Sequence, residues 1–187
     1  MKNKISVRDL VLTALFAALV AVGAFIRIPA GDLSFTMQLF FVFLSGILLG
    51  PKYGALCVVV YLLLGLCGVP VFTSGGGIGS LLSPSFGFII GFILTALITG
   101  LIAGKSSSLP RLILGCVLGN LAAYVIGIPY MMLILNVYMG KAMGLWALIL
   151  AYMLPYLPFD ALKIVLAVII AKPLVPQIKK LEVRKGA

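Results

Sequence analysis

Leu145-Trp146-Ala147-Leu148-Ile149-Leu150-Ala151-Tyr152-Met153 decides how often this chain crosses a membrane. Alone it reads either as a short span or as a helix lying at the interface. The segments around it are plainer. A membrane helix needs about 20 apolar residues, and uncharged runs of that order occupy Leu10–Ile26, Leu33–Pro51, Tyr53–Gly104 and Leu112–Gly140, the third long enough for two spans and a loop. The expected helices are Val11–Ile26, Thr36–Gly50, a third that follows a tight turn at Pro51-Lys52-Tyr53-Gly54 and runs to about Leu66, then Phe86–Gly104, Leu112–Asn136 and Pro158–Val175. With six spans and both ends on one side, that side receives Lys2, Lys4, Arg8, Lys52, Lys105, Arg111, Lys172, Lys179, Lys180, Arg184 and Lys185, eleven of the fourteen basic residues. The other side has Arg27 and Lys141, with Lys163 at the outer end of the last helix. A seventh span at Leu145–Met153 would turn the basic tail outward, against the positive-inside bias. The expected fold is therefore an all-α membrane protein of six transmembrane helices with both termini cytoplasmic. It forms a single integral membrane domain over residues 1–187, with a basic tail from about residue 176.

Composition agrees. The chain is 63% hydrophobic and 10% charged, with a mean hydropathy of +1.28, far from a soluble domain. Its net charge of +10 gathers at the ends of apolar runs, where it reads as a topology signal and as contact with anionic head groups of the lipid bilayer rather than with nucleic acid. Histidine is absent, which removes the usual general base and the commonest metal ligand. Cys57, Cys67 and Cys116 lie in apolar sequence without metal spacing and read as free thiols. No catalytic residue, metal site or ATP-binding motif is expected, so the chain is not an enzyme. The basic start followed by Val11–Ile26 has the outline of a signal peptide, but the run is long and no small-x-small site precedes a hydrophilic region. It reads as the first span. There Ala14, Ala17, Ala18 and Ala21 form a small-residue stripe, suited either to packing within the protein or to docking a partner helix.

Two stretches carry chemistry. Thr73-Ser74-Gly75-Gly76-Gly77-Ile78-Gly79-Ser80 allows backbone conformations that a Cβ forbids. It lacks the Gly-Lys-Ser/Thr and preceding strand of a phosphate loop, which leaves a flexible linker or, the favoured reading, a lid over a pocket. Pro155-Tyr156-Leu157-Pro158-Phe159-Asp160-Ala161-Leu162-Lys163 sets a carboxylate and an ammonium three residues apart, on one helix face. Pro158 suits the first turn of that helix. Asp160 is the only acidic residue between Leu33 and Leu181, and an intramembrane ionisable pair is a functional site by default, an internal ion pair that fixes the helix being the alternative. On the topology above, the glycine loop and this pair both lie on the external side, as capture of an external solute requires.

These residues resemble the BioY family, the biotin-binding S components of energy-coupling-factor (ECF) vitamin transporters. The similarity runs in order through Phe35-Thr36-Met37-Gln38, Gly46-Ile47-Leu48-Leu49-Gly50-Pro51-Lys52-Tyr53-Gly54-Ala55, Tyr61-Leu62-Leu63-Leu64-Gly65-Leu66-Cys67-Gly68-Val69-Pro70-Val71-Phe72, the glycine loop and Pro158-Phe159-Asp160-Ala161-Leu162-Lys163. One departure is Ser83-Pro84-Ser85-Phe86-Gly87-Phe88, where the family usually reads Gly-Pro-Ser/Thr-Gly-Gly-Tyr. A glycine and a hydroxyl are lost from that stretch.

The resemblance implies the S-component fold in a prokaryotic plasma membrane, a biotin pocket open to the outside, and a complex with an ECF transmembrane coupling subunit and two ATPase subunits. The chain then has no cofactor of its own, the partner ATPases use the ATP, and Ala14 and Ala18 meet the coupling subunit. Biotin has an apolar bicyclic body, a ureido group and a carboxylate tail. Asp160 suits the ureido N–H groups, Lys163 either the carboxylate or support of Asp160, and the helix N-terminus favours an anion. Phe72, Phe88 and Tyr124 are candidates for the apolar wall, and Gln38, Ser74, Gly75, Gly76 and Gly77 complete the binding set. The alternative is a self-sufficient ion-coupled importer of biotin or a related small vitamin, with Asp160 as the coupling group.

Overall fold

In a bilayer the backbone must satisfy its own hydrogen bonds, so apolar runs of this length fold as helices. The computed structural model describes residues 6–30, 32–104 and 106–186, with side chains as far as Ile178. Of the residues in the charge count, Lys2, Lys4 and Lys105 lie outside the described residues, as do the side chains of Lys179, Lys180, Arg184 and Lys185. The elements are α1 (Val7–Phe25), β1 (Arg27–Ala30), β2 (Leu33–Thr36), α2 (Gln38–Leu66), α3 (Phe86–Ala103), α4 (Leu109–Leu133), α5 (Leu145–Tyr152) and α6 (Leu157–Gly186). Short single turns follow the glycine loop (Ile78–Leu82) and extend α4 (Ile134–Tyr138). By length and composition, five described helical segments are able to cross a membrane: α1, α2, α3, α4 with its extension, and α6.

The 29 residues of α2 are two helices in one. At Gly50 the backbone takes φ 78° and ψ 179°, a conformation open in practice only to glycine, and Pro51 begins the second half. The halves fold back on each other. A Cβ on Gly54 would lie 2.9 Å from the Gly46 Cα, Ser45 Oγ donates to the Gly54 carbonyl at 3.4 Å, and Gln38 Nε2 donates to Tyr61 Oη at 2.7 Å. These pairs nest around Gly50 as rungs of one antiparallel hairpin. The turn expected at Pro51-Lys52-Tyr53-Gly54 is instead the first turn of the second half, because glycine makes the reversal in one residue.

Neighbouring helices approach closely wherever one presents no side chain. Thr95 and Thr99 of α3 donate to the carbonyls of Gly119 and Gly115 on α4, at 2.8 and 3.0 Å. Such contacts supply cohesion where lipid removes the hydrophobic force between helices. α1 packs on α2, α2 on α3, and α6 closes the bundle against α2 and α4.

Two features differ from the sequence reading. The connector after α1 is a β-hairpin, with Arg27 opposite Thr36 and Ala30 opposite Leu33, so the fold is mostly rather than entirely helical. α6 does not stop at Val175 but runs through Pro173 and Pro176, each of which removes one N–H from the helical ladder and crowds the carbonyl four residues before it. The disputed Leu145–Met153 stretch forms the eight-residue α5, about 12 Å long and too short to span a core of about 30 Å.

The molecule has two distinct ends. Arg8, Leu48, Leu49, Tyr53 and Ile178 border one cavity, so the start of α1, the Gly50 turn and the far part of α6 share an end. At the other, Arg27 donates to the Thr73 carbonyl, while Lys141 Nζ, at 2.6 Å, and Tyr152 Oη, at 2.6 Å, meet Asp32 Oδ2.

Candidate functional site

The first turn of α6 builds the site. Pro158 sits where no N–H is needed, and Asp160 donates its own N–H to the Tyr156 carbonyl at 2.9 Å. Asp160 and Lys163 are 5% and 7% exposed. Burying a charge at such depth is tolerable only with a partner and hydrogen bonds, and Asp160 has both. Lys163 Nζ lies 2.9 Å from Oδ1, Tyr124 Oη donates to Oδ2 at 2.6 Å, and Asn120 Nδ2 reaches Oδ2 at 3.4 Å. Asn120 and Tyr124 are four residues apart on α4, hence on one face. A carboxylate offers about four lone-pair sites and an ammonium three donors. One site on Oδ1 and two N–H groups of Lys163 therefore remain for a guest.

The pair opens onto a cavity with about 640 Å³ of unfilled space, part of it at the mouth. Phe88, Ile89, Phe92, Leu33, Leu39 and Ala123 supply apolar wall, and Phe88 meets Tyr124 edge-on at 6.0 Å. Gln38 forms a polar corner. Its Oε1 accepts from Thr36 at 3.3 Å, and its Nε2 is held by Tyr61, which in turn donates to the Val71 carbonyl at 3.1 Å.

The structure thus brings Asp160, Lys163, Gln38, Phe88 and Tyr124 to one cavity. Phe72 is not among the lining residues. Its ring is buried against Tyr61 and Phe86, 5.4 and 5.9 Å away, in the space that glycine leaves at position 65. Ser74, Gly75, Gly76 and Gly77 also stand off it. The glycine loop folds onto itself through paired Phe72 and Gly75 backbone bonds, and Gly77 N–H is tied to the Gly65 carbonyl at 2.7 Å. Thr73 is the loop's residue at the cavity. On α1 the stripe divides: Ala17 is buried, while Ala14 and Ala18 are exposed.

Sequence reasoning missed several contributors, five of them at the polar wall and the hairpin. Asn120 carried a signal, since it stands one turn before Tyr124. Ser34 and Leu33 belong to the unrecognised hairpin, and Tyr152 and Tyr156 come from the α5–α6 corner. Beside the mouth, Lys141 and Tyr152 hydrogen-bond Asp32 and hold its carboxyl below its ordinary value. Burial, then that carboxylate, raises the Tyr152 hydroxyl to about 12.

Comparison with known proteins bears on the same geometry. The model of the family described as BioY matches residues 1–180. A protein of Thermotoga maritima described as biotin transporter BioY is 40% identical over 182 residues, covering 95% of this chain and 99% of that one. A Pyrococcus horikoshii protein described as a probable biotin transporter BioY is 40% identical over 168 residues, 89% of this chain and 96% of its own. Among solved structures, the S-component for biotin from an ECF-type ABC transporter superposes with a TM-score of 0.79 at 29% identity, over 93% of this chain and 94% of that one.

Proposed function

We propose that this chain, which belongs to the BioY family, captures biotin in the cavity beside Asp160. It takes up biotin as the substrate-binding S subunit of an ECF-type transporter. The observation that carries the site is the buried Asp160–Lys163 pair, braced by Tyr124 and Asn120, on the wall of an otherwise largely apolar cavity. Asp160 accepts from a ureido N–H through its free Oδ1 site, and Lys163 holds that carboxylate in place. Phe88 and Phe92 face the bicyclic body.

The chain is a multi-pass membrane protein. Counting the folded-back halves of α2 separately gives six crossings. The basic end with Arg8, Lys52, Arg111 and Lys172 then lies in the cytoplasm of a prokaryotic cell and the hairpin end outside. Ala14 and Ala18, exposed on α1, meet an ECF transmembrane coupling subunit, and two ATPase subunits supply the energy. The self-sufficient ion-coupled reading fits less well, because Lys163, Tyr124 and Asn120 already occupy three of the roughly four acceptor sites of Asp160 and leave one for a coupling ion.

Calorimetric titration of the purified chain with biotin in detergent tests the reading. One-to-one binding weakened at least about 30-fold by Asp160→Asn is the expected result, since a charge-assisted hydrogen bond is worth about 1.5–3 kcal/mol and the change also disturbs Lys163. Wild-type protein that stays folded and ignores biotin would refute it.

A further inference from the structure

Among the described residues, one buried side-chain N or O atom has no hydrogen-bond partner: the Tyr156 hydroxyl. Such a group usually costs stability and asks for a reason. Tyr156 is 9% exposed and lines the cavity that holds Asp160 and Lys163. Its ring is fixed by stacking on Phe35 of β2 at 4.1 Å, and Phe35 in turn packs on Phe159 at 4.3 Å. The hydroxyl is therefore positioned by a three-ring stack and given nothing to bind.

Resting on the biotin reading, we propose that Tyr156 Oη is the donor for the ligand's ureido carbonyl oxygen, with Asp160 taking the flanking N–H. Hydrogen-bond complementarity sets the polarity. Lys163 balances the charge of Asp160, so what selects the end is the free Oδ1 site, which accepts a ureido N–H and offers nothing to a carboxylate. The ureido end of the ligand belongs at this wall and its acid tail points away. Burial and the Asp160 carboxylate also keep the tyrosine proton in place, which makes the hydroxyl a donor rather than a partner for a second N–H. A cyclic urea offers an acceptor beside a donor, the complement of a phenol beside a carboxylate. Because the hydroxyl has almost no exposed surface without a guest, binding must shift the Phe35 stack, and with it the hairpin.

Tyr156→Phe removes only the hydroxyl. The ligand-free variant is expected to melt at or above the wild-type temperature, since it loses an unpaired polar atom. Its affinity for biotin is expected to fall about 5- to 10-fold, the scale of one neutral hydrogen bond. A biotin analogue with sulfur in place of the carbonyl oxygen, a weaker acceptor, supplies the second reading. Wild type should prefer biotin over it, and Tyr156→Phe should lose most of that preference. Unchanged biotin affinity in Tyr156→Phe, or a loss of affinity with full discrimination retained, overturns the assignment. If wild type binds neither ligand, the biotin reading itself has failed, and the assignment falls with it.

Discussion

The same three residue types meet twice in this chain, and the difference lies in what surrounds them. Asp160 joins Lys163 and Tyr124 inside the bundle, whereas Asp32 joins Lys141 and Tyr152 near the surface. In the interior an unpaired charge would be severely penalised, so Asp160 is held on both oxygens and Lys163 stands against it. At the surface water screens the pair, and what remains is a pH-dependent clasp. The Asp32 carboxyl lies below its ordinary 3.8, first through the Lys141 hydrogen bond and then through that of Tyr152. A depressed carboxyl adds stability that is present above the unfolded value and lost as pH falls through the folded one. The melting-temperature gap between wild type and Asp32→Asn should therefore hold constant above about pH 4 and close below it. A gap that widens on acidification would contradict the clasp. Asp160 and Lys163 were legible in sequence because three residues of helix separate them. Asn120 and Tyr124 stand 40 and 36 positions away, and only the packing of α4 on α6 joins them to the carboxylate.

At the level of elements, glycine decides how close two helices come. A Cβ on Gly46 would sit 2.6 Å from the Ala96 carbonyl oxygen, against backbone that cannot swing away. Gly46→Ala should thus destabilise the α2–α3 contact by about 1–3 kcal/mol, the usual scale of overpacking, read as a lower melting temperature in detergent. Unchanged melting would show that the helices have slack. Long apolar helices announced themselves in the sequence by length alone. The hairpin did not, since four-residue strands carrying Pro29 show too little alternation to declare a period. Phe72 misled for a related reason: in an irregular loop nothing in the spacing tells which way a ring turns, and it turned into the space above Gly65.

For the whole molecule, the cavity beside Asp160 lies toward the hairpin end, between the main core and a smaller apolar cluster that includes Leu33, Ile128, Leu135, Leu148 and Tyr156. Three polar ties of the hairpin reach elements distant in sequence: Arg27 to Thr73, and Asp32 to Lys141 and to Tyr152. The reversal at Gly50 has a bearing on how the chain is made. Gln38–Leu49 extends about 18 Å as a helix, too short to cross a bilayer core of about 30 Å by itself without its second half packed beside it, and carries Gln38 at its tip. A nascent chain that has emerged only as far as Gly50 holds a segment too short to settle in the membrane, whose amide has not yet met Tyr61. Integration of this region must wait for residues 51–66 and proceed as a pair. Chains truncated after Leu66 should then resist alkaline extraction from membranes through both halves, with residues 38–49 protected from protease. In chains truncated after Gly50 the same residues should stay accessible, anchored by α1 alone. Biosynthesis thus inherits its order from a single glycine.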